Sequence, residues 1–400
     1  MTIEIKTQVA IVGAGPSGLL MAHLLHQAGI EAEVVENRDR DYTTGRVRAG
    51  VLEQGAVELL TEAGLGERLH REGHRHDGIY LQFDGEKHRI PFKDLIGRSV
   101  WVYGQQEVMK DLLTAHDAKG FSAHYESENV TLHDLTSETP SVTFDRGGES
   151  YRITARFIVG ADGFHGVSRP SIPETHITHH TRAYPFGWLG ILANVEPSTD
   201  ELIYALHEDG FAMHSMRSNT VSRLYLQVAP DDDIANWSDE RIWENLQKRL
   251  AYPGWTLKEG PIFEKGITPM RSWVSAPMRY GNLFLCGDAA HIVPPTGAKG
   301  LNSAISDIQF LHKAIIDFFK AGESEGIDTY SDRAMVRIWK TQNFSMYMTN
   351  MLHRFYSDDP MQDDFDYRSQ LGQMRALVAS EHGKSFLAEG YTGWRKEVLS

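Results

Sequence analysis

The residues GAGPSG at 13–18 have the spacing needed to hold a pyrophosphate. Gly13 permits a tight turn, Gly15 lets the backbone approach the phosphates, and Gly18 lets the next helix pack close to a sheet, so that its N-terminal N–H groups face negative charge. Ser17 lies in the same loop, and Glu36 stands where a carboxylate accepts ribose hydroxyls. By itself this pattern fits FAD or NAD. A second pair of motifs discriminates: GADGFHGVSR (160–169) and LCGDAAHIVPPTGAKGLN (285–302) each set an Asp beside a Gly after an apolar strand. Asp288 suits a ribitol hydroxyl, and the glycine-rich run opens a helix whose positive end can face a ring oxygen. A nicotinamide-only enzyme has no need of these loops, so the expectation is one firmly held FAD. Any second dinucleotide must bind without a glycine-rich module of its own.

Such loops need a parallel sheet behind them. Residues 8–12 and 33–36 read as strands around a helix at 17–29, one βαβ unit. Apolar strands at 156–160 and 282–287 also end in glycine, and a helix runs from Asn302 to about Lys320. Between 181 and 268 the texture changes. Stretches at 187–195, 201–206 and 222–229 predict an antiparallel sheet with one exposed face. A helix at 238–250, capped by Ser238, interrupts it. Residues 321–400 read as mostly helical, rich in Met, Phe and Tyr. The expected fold is mixed α/β. A Rossmann-type FAD-binding domain is split between 1–180 and 269–320, a substrate-binding sheet occupies 181–268, and a helical region fills 321–400.

Composition narrows the function classes. A hydrophobic share of 41% and a charged share of 24% suit a globular protein. Forty basic against fifty-four acidic residues give a net charge of −14, with no block of five or more like charges, which argues against nucleic acid or an anionic membrane as partner. The single cysteine, Cys286, excludes a disulfide framework, a four-thiolate metal site and a CxxC flavin reductase. His176, His179 and His180 have no carboxylate or cysteine spacing for a metal, so none is expected. No apolar run reaches membrane-spanning length and no leader pattern opens the chain, so a cytoplasmic location is expected.

GAGPSG, RVRAGVLEQG (46–55), VYGQQEV (102–108), the Asp162-Gly163 pair and GDAAHIVPPTGAKGLN together resemble the group A flavoprotein aromatic hydroxylases. The likeness runs from about residue 6 to 392 and implies an FAD monooxygenase using O₂ and a reduced nicotinamide, with a homodimer interface in the C-terminal helices. The implied reaction is hydroxylation of 4-hydroxybenzoate at the 3-position, with a related phenolic acid such as 3-hydroxybenzoate or a dihydroxybenzoate as the alternative. The resemblance places Arg217, Ser215 and Tyr225 on the substrate carboxylate, and Tyr204 and Tyr391 at its hydroxyl, with the Pro295 carbonyl near the ring and Trp188 as pocket wall. It makes His76 the proton's outlet to solvent, with an imidazole suited to exchange near neutrality. Arg46, Arg48, Gln105, Asp162, Arg223, Lys299, Gly300, Leu301 and Asn302 fall at flavin positions. Arg223 and Tyr225 are expected on opposite faces of their strand, as two separate jobs would require. At 37–42 (NRDRDY) the chain departs from the family, with Asn37 where an arginine is usual. Arg38, Arg40 and Tyr42, with Arg48 and Arg169, are nevertheless expected to meet NADPH rather than NADH. The chain reads WLGIL at 188–192 and lacks the paired-tryptophan signature of flavin halogenases.

Overall fold

Strands, loops and helices in the computed structural model are described for residues 2–45 and 50–394. The opening strand Val9–Val12 is wholly buried between parallel neighbours, Phe157–Gly160 on one side and Ala32–Val35 on the other. Leu283–Leu285 continues the parallel sheet beyond Phe157–Gly160, and the short strand Arg279–Tyr280 turns back along its edge. The helices Pro16–Gln27 and Gly300–Ala321 pack on this sheet and on each other. Their apolar faces share one core with the strands. All four carboxyl ends of the parallel strands therefore point at one crevice, the place where open α/β sheets bind ligands. Smaller sheets of four strands (residues 2–6, 128–133, 141–146 and 149–154) and three strands (51–53, 74–76 and 100–102) flank it.

The second large element is an eight-stranded sheet. Its centre is the long strand Thr178–Ala193, paired antiparallel with Ile262–Ala276 and with Val221–Val228. Ala212–Ser218 and Ile203–Ala205 follow, and the sheet draws in Ile79–Phe83 and Glu86–Ile90 from the first part of the chain. Strand periodicity sorts the residues of Val221–Val228. Leu224, Leu226 and Val228 join Leu189, Ile191 and Ala212 in a core under the helix Asp239–Arg249, with Ser238 accepting from the Arg241 backbone N–H as its cap. The opposite face, carrying Trp188, Tyr204, Met213 and Tyr225, packs against the C-terminal helices Glu325–Leu352, Pro360–Ala379 and Glu381–Thr392. One exposed sheet face was expected. Both faces are covered in the central strands, because the C-terminal helices roof the side left over from the helix Asp239–Arg249.

Candidate active site

The glycine loop has the shape its sequence requires. Gly13 sits at φ +106°, where a Cβ would lie 2.4 Å from the Ala161 carbonyl oxygen, and a Cβ at Gly18 would overlap the Gly13 carbonyl. Gly15, which caps the helix Pro16–Gln27, faces open space instead. Glu36 is fixed beside it by accepting from the backbone N–H groups of Ala14 (2.7 Å) and Arg38 (2.9 Å). Across the crevice, Asp162 accepts from the Ser168 backbone N–H and hydroxyl through Oδ2, while its sheltered Oδ1 has no partner. Removal from water pushes the Asp162 carboxyl up from the ordinary range. Asp288 is exposed at the tip of the turn Gly287–Ala289, and the buried Ser17 lies behind Gly287. An open helix N-terminus, an unpartnered Asp162 oxygen and a free-standing Asp288 on one crevice fit a flavin dinucleotide.

The loop leading to the helix Gly300–Ala321 closes the crevice toward the eight-stranded sheet. Lys299 is buried, ion-paired with Glu53, and donates to the Tyr391 carbonyl at 3.1 Å. Burial lowers its pKa against the attraction of Glu53. Asn302 ties the same loop down, donating to the carbonyls of Val51 and Ala298 and accepting from the Glu53 N–H. Gly300 and Leu301 are half-buried between them. Pro295 begins the turn Pro295–Gly297, and its carbonyl accepts from the Ala298 N–H at 2.9 Å.

On the roofed face of the sheet, register sets the remaining residues in rows. Tyr204 opposes Met213, and Met213 opposes Tyr225. Ser215 opposes Arg223 in the next row. Gly190 opposes Tyr225, and a Cβ there would come within 3.2 Å of the phenol ring, so glycine makes room for it. Tyr204 and Tyr391 share a hydrogen bond of 2.6 Å between their hydroxyls, and both are buried. Burial raises both phenols above the ordinary range, and the adjoining Tyr391 adds to the rise at Tyr204. Both are therefore protonated at neutral pH. Trp188 stacks on Phe211 at 5.1 Å, lies 4.6 Å from the Tyr225 ring, and donates through its indole N–H to His353 at 2.7 Å.

Further along the strand Ala212–Ser218, where the pairing is irregular, Arg217 donates to the Gln106 side-chain oxygen and lies against Gly104, where a Cβ would be 2.5 Å from the guanidinium. Burial and the neighbouring Arg223 lower Arg217 to about 10. Arg223 has a sheltered guanidinium nitrogen without a partner. Among the described residues, no carboxylate pairs with either guanidinium. Two adjacent cations in a sheltered place, with donors to spare, make a receptor for an anion. Ser215 donates to the Arg223 carbonyl at 3.1 Å from the same place.

Several expectations change. Arg223 and Tyr225 do not face opposite ways: two residues apart on one strand they share a face, and the Arg223 guanidinium lies 5.2 Å from the Tyr225 ring centre. His76 is buried rather than open to solvent. Its Nε2 contacts the Met216 sulfur at 3.3 Å, and burial lowers its pKa to about 4, so it is neutral at pH 7. Arg40 is held by Asp117 in a two-bond ion pair of 2.9 and 2.5 Å, and Arg38 lies over the Tyr42 ring at 5.1 Å. Arg169 donates to the carbonyls of Phe164 (2.6 Å) and Ala289 (3.2 Å). Gln105 opens the helix Gln105–Asp117, yet it is Gln106 that touches Arg217. Arg46 and Arg48 lie outside the described residues. Glu53 and Gln106 had signals inside motifs already noted, RVRAGVLEQG and VYGQQEV. His353 had none.

With this geometry in place, comparison with known proteins is specific. The model of the FAD binding domain family matches residues 6–345. The chain is 48% identical over 397 residues to p-hydroxybenzoate hydroxylase of Acinetobacter baylyi, covering 99% of this chain and 97% of that one. It is 23% identical to pentachlorophenol 4-monooxygenase of Sphingobium chlorophenolicum, over 75% of this chain and 56% of that one. Among solved structures, p-nitrophenol 4-monooxygenase of Pseudomonas putida superposes with a TM-score of 0.77 at 18% identity, covering 96% of this chain and 99% of that one.

Proposed function

The chain belongs to the FAD binding domain family and, within it, to the flavoprotein aromatic hydroxylases, and from that premise we propose that it hydroxylates 4-hydroxybenzoate at the 3-position to give 3,4-dihydroxybenzoate. One observation carries the choice of substrate. A single sheet face bears guanidiniums without a carboxylate partner at one end and, at the other, the buried Tyr204, whose hydroxyl is hydrogen-bonded to Tyr391 of the last helix. A ring with a carboxylate and a hydroxyl para to each other matches that polarity.

FAD, when bound, takes hydride from the reduced nicotinamide and activates O₂. The chain's own residues do the rest. Gly15, Ser17, Glu36, Asp162, Asp288 and the loop 299–302 hold the cofactor. Arg217 gives the carboxylate a planar two-donor fork, and Ser215 and Tyr225 turn their hydroxyl hydrogens to its remaining lone pairs. Trp188 and the Pro295 turn wall the ring and keep water out. One hydrogen bond joins the two tyrosine hydroxyls, which leaves one hydroxyl hydrogen for the substrate. In this reading the substrate phenol passes its proton to the Tyr204 oxygen as Tyr204 passes its own to Tyr391. Tyr204 then donates to the oxygen left behind, and a phenolate ring is more nucleophilic at the ortho carbon. His76, buried with its Nδ1 unpartnered, is the proposed next acceptor.

NADPH is the proposed reductant, met by Arg38, Tyr42 and Arg169, and the working form is proposed to be a cytoplasmic homodimer. No helix among the described residues is long and apolar enough to cross a membrane. The test is to supply the FAD-loaded protein with 4-hydroxybenzoate, O₂ and each reduced nicotinamide, and to follow oxygen uptake and product. Formation of 3,4-dihydroxybenzoate, faster with NADPH, is expected. A different phenolic acid as the only hydroxylated substrate would overturn the assignment, and faster reduction by NADH would overturn the cofactor choice.

A further inference from the structure

His353 lies on the helix Glu325–Leu352's C-terminal boundary, 165 residues from Trp188 in sequence, and is fully buried. Its two nitrogens have different partners. Nε2 faces the Trp188 indole N–H at 2.7 Å, and an indole nitrogen only donates, so Nε2 must be the bare, accepting nitrogen. Nδ1 faces the Thr349 carbonyl at 3.0 Å, which only accepts, so Nδ1 carries the hydrogen. The two contacts fix one neutral tautomer, and burial, which lowers the imidazole to about 3, keeps it neutral. No charged or titratable side chain is needed to explain this ring's state.

The imidazole is also the centre of a stack. It lies 4.6 Å from Phe186 at 7° between planes, 4.4 Å from Phe211 at 27°, and 5.8 Å from Trp188 at 15°. Trp188 in turn leans on Tyr225 at 4.6 Å, and Phe211 leans on Tyr204 at 6.2 Å. The stack thus touches the tyrosine of the carboxylate end through Trp188 and the tyrosine of the hydroxyl end through Phe211. A core of this kind would usually be filled by leucine or phenylalanine. A histidine with both nitrogens satisfied and one aimed at the indole is a device for fixing the angle of one ring.

We propose that His353 is a positioning residue for the aromatic substrate, holding Trp188 and Phe211 so that the two substrate-binding ends stay at the separation of one para-substituted benzoate. This rests on the substrate assignment above. The test compares His353→Leu, which fills the space and leaves the buried indole N–H unpaired, with His353→Gln, whose amide oxygen can accept that hydrogen. FAD-loaded wild type and variants are titrated with 4-hydroxybenzoate, and coupling of oxygen uptake to product is measured. His353→Leu is expected to raise the substrate KM about tenfold and to divert reducing equivalents to hydrogen peroxide, while flavin reduction at saturating substrate changes less than about twofold. His353→Gln is expected to recover the wild-type KM to within about threefold. Adding Trp188→Phe to His353→Leu removes the stranded donor and is expected to improve substrate binding over His353→Leu alone. A merely structural residue would show no rescue by glutamine and no gain in the double variant, and either result overturns the proposal. If wild type itself ignores 4-hydroxybenzoate, the substrate assignment fails separately. The role of His353 is then read from the indole N–H resonances of ¹⁵N-tryptophan-labelled protein. The Trp188 signal should shift in His353→Leu and hold in His353→Gln, and no shift in His353→Leu would contradict the inference. Should His353→Leu not fold, His353→Gln is compared with Trp188→Phe: the glutamine variant should keep the wild-type KM to within about threefold while loss of the indole donor raises it, and equal KM values would overturn the proposal.

Discussion

The two ends of the site are built in opposite ways. The guanidinium end is local: Ser215, Arg217, Arg223 and Tyr225 lie on two adjacent strands of one hairpin, and the Ser215–Arg223 pairing sets their spacing. It is polar, half-buried at Arg217, and carries charge that its neighbours leave unbalanced. The phenol end is assembled over 187 residues, from the short strand Ile203–Ala205 and the last helix Glu381–Thr392. It is uncharged, fully buried and internally hydrogen-bonded. The difference teaches a division of labour. A hairpin holds charged side chains at a fixed spacing, whereas a proton-transfer pair that must exclude water needs a roof, which the C-terminal helices supply together with Phe92.

The comparison breaks most visibly at the phenol end. Tyr204→Phe should lower hydroxylation by roughly 10²-fold, the scale of a positioned proton-transfer group, while nicotinamide oxidation continues and oxygen leaves as peroxide. Product and peroxide assays check it, and fully coupled hydroxylation would remove Tyr204 from the proton path. At the guanidinium end, Arg217→Lys loses one of two charge-assisted hydrogen bonds and should weaken substrate binding by about 10- to 100-fold, with little loss of coupling at saturation. Spectral titration reads this directly, and unchanged affinity would remove the carboxylate assignment.

Tyr391→Phe sharpens the contrast. It leaves the Tyr204 donor in place and should cost about tenfold or less in hydroxylation, chiefly toward low pH, where the substrate proton must still leave. A loss equal to that of Tyr204→Phe would make the two hydroxyls one inseparable unit. Acid should also act unevenly. His76 and His214 are held near pKa 4 and His353 near 3 by burial, so the native protein leaves them unprotonated where the unfolded chain, with histidines near 6.5, takes up protons. Stability from these groups is intact above about pH 6.5 and falls by roughly 1.4 kcal/mol per pH unit per histidine down to pH 4. Denaturant unfolding at pH 7 and pH 5 measures it, and equal midpoints would contradict the buried neutral state.

The same contrast explains what could be read from the chain. The glycine loop and its strands are contiguous, so Gly13, Gly15, Gly18 and Glu36 were legible from spacing alone, as was the Ser238 cap. The helix from Asn302 was legible too, within two residues of its observed start. Three of the sheet's strands were visible, but not 212–218 or 262–276, nor that residues 79–90 join the sheet or that helices cover its second face, the last two because they depend on contacts far apart in the chain. Arg223 and Tyr225 share a face as strand geometry dictates, and the opposite expectation misread a two-residue step. His76 needed tertiary burial to lose its ordinary basicity, and His353 acquires its meaning only when the roof brings it to Trp188.

The most direct measurement is the ionisation of 4-hydroxybenzoate while bound to the FAD-loaded protein, read from its ultraviolet difference spectrum across pH. The phenol should ionise at least one pH unit lower on the protein than in water, and that displacement should vanish in Tyr204→Phe. A bound ligand that titrates as it does in water, or one whose lowered value survives the loss of the Tyr204 hydroxyl, would contradict the account.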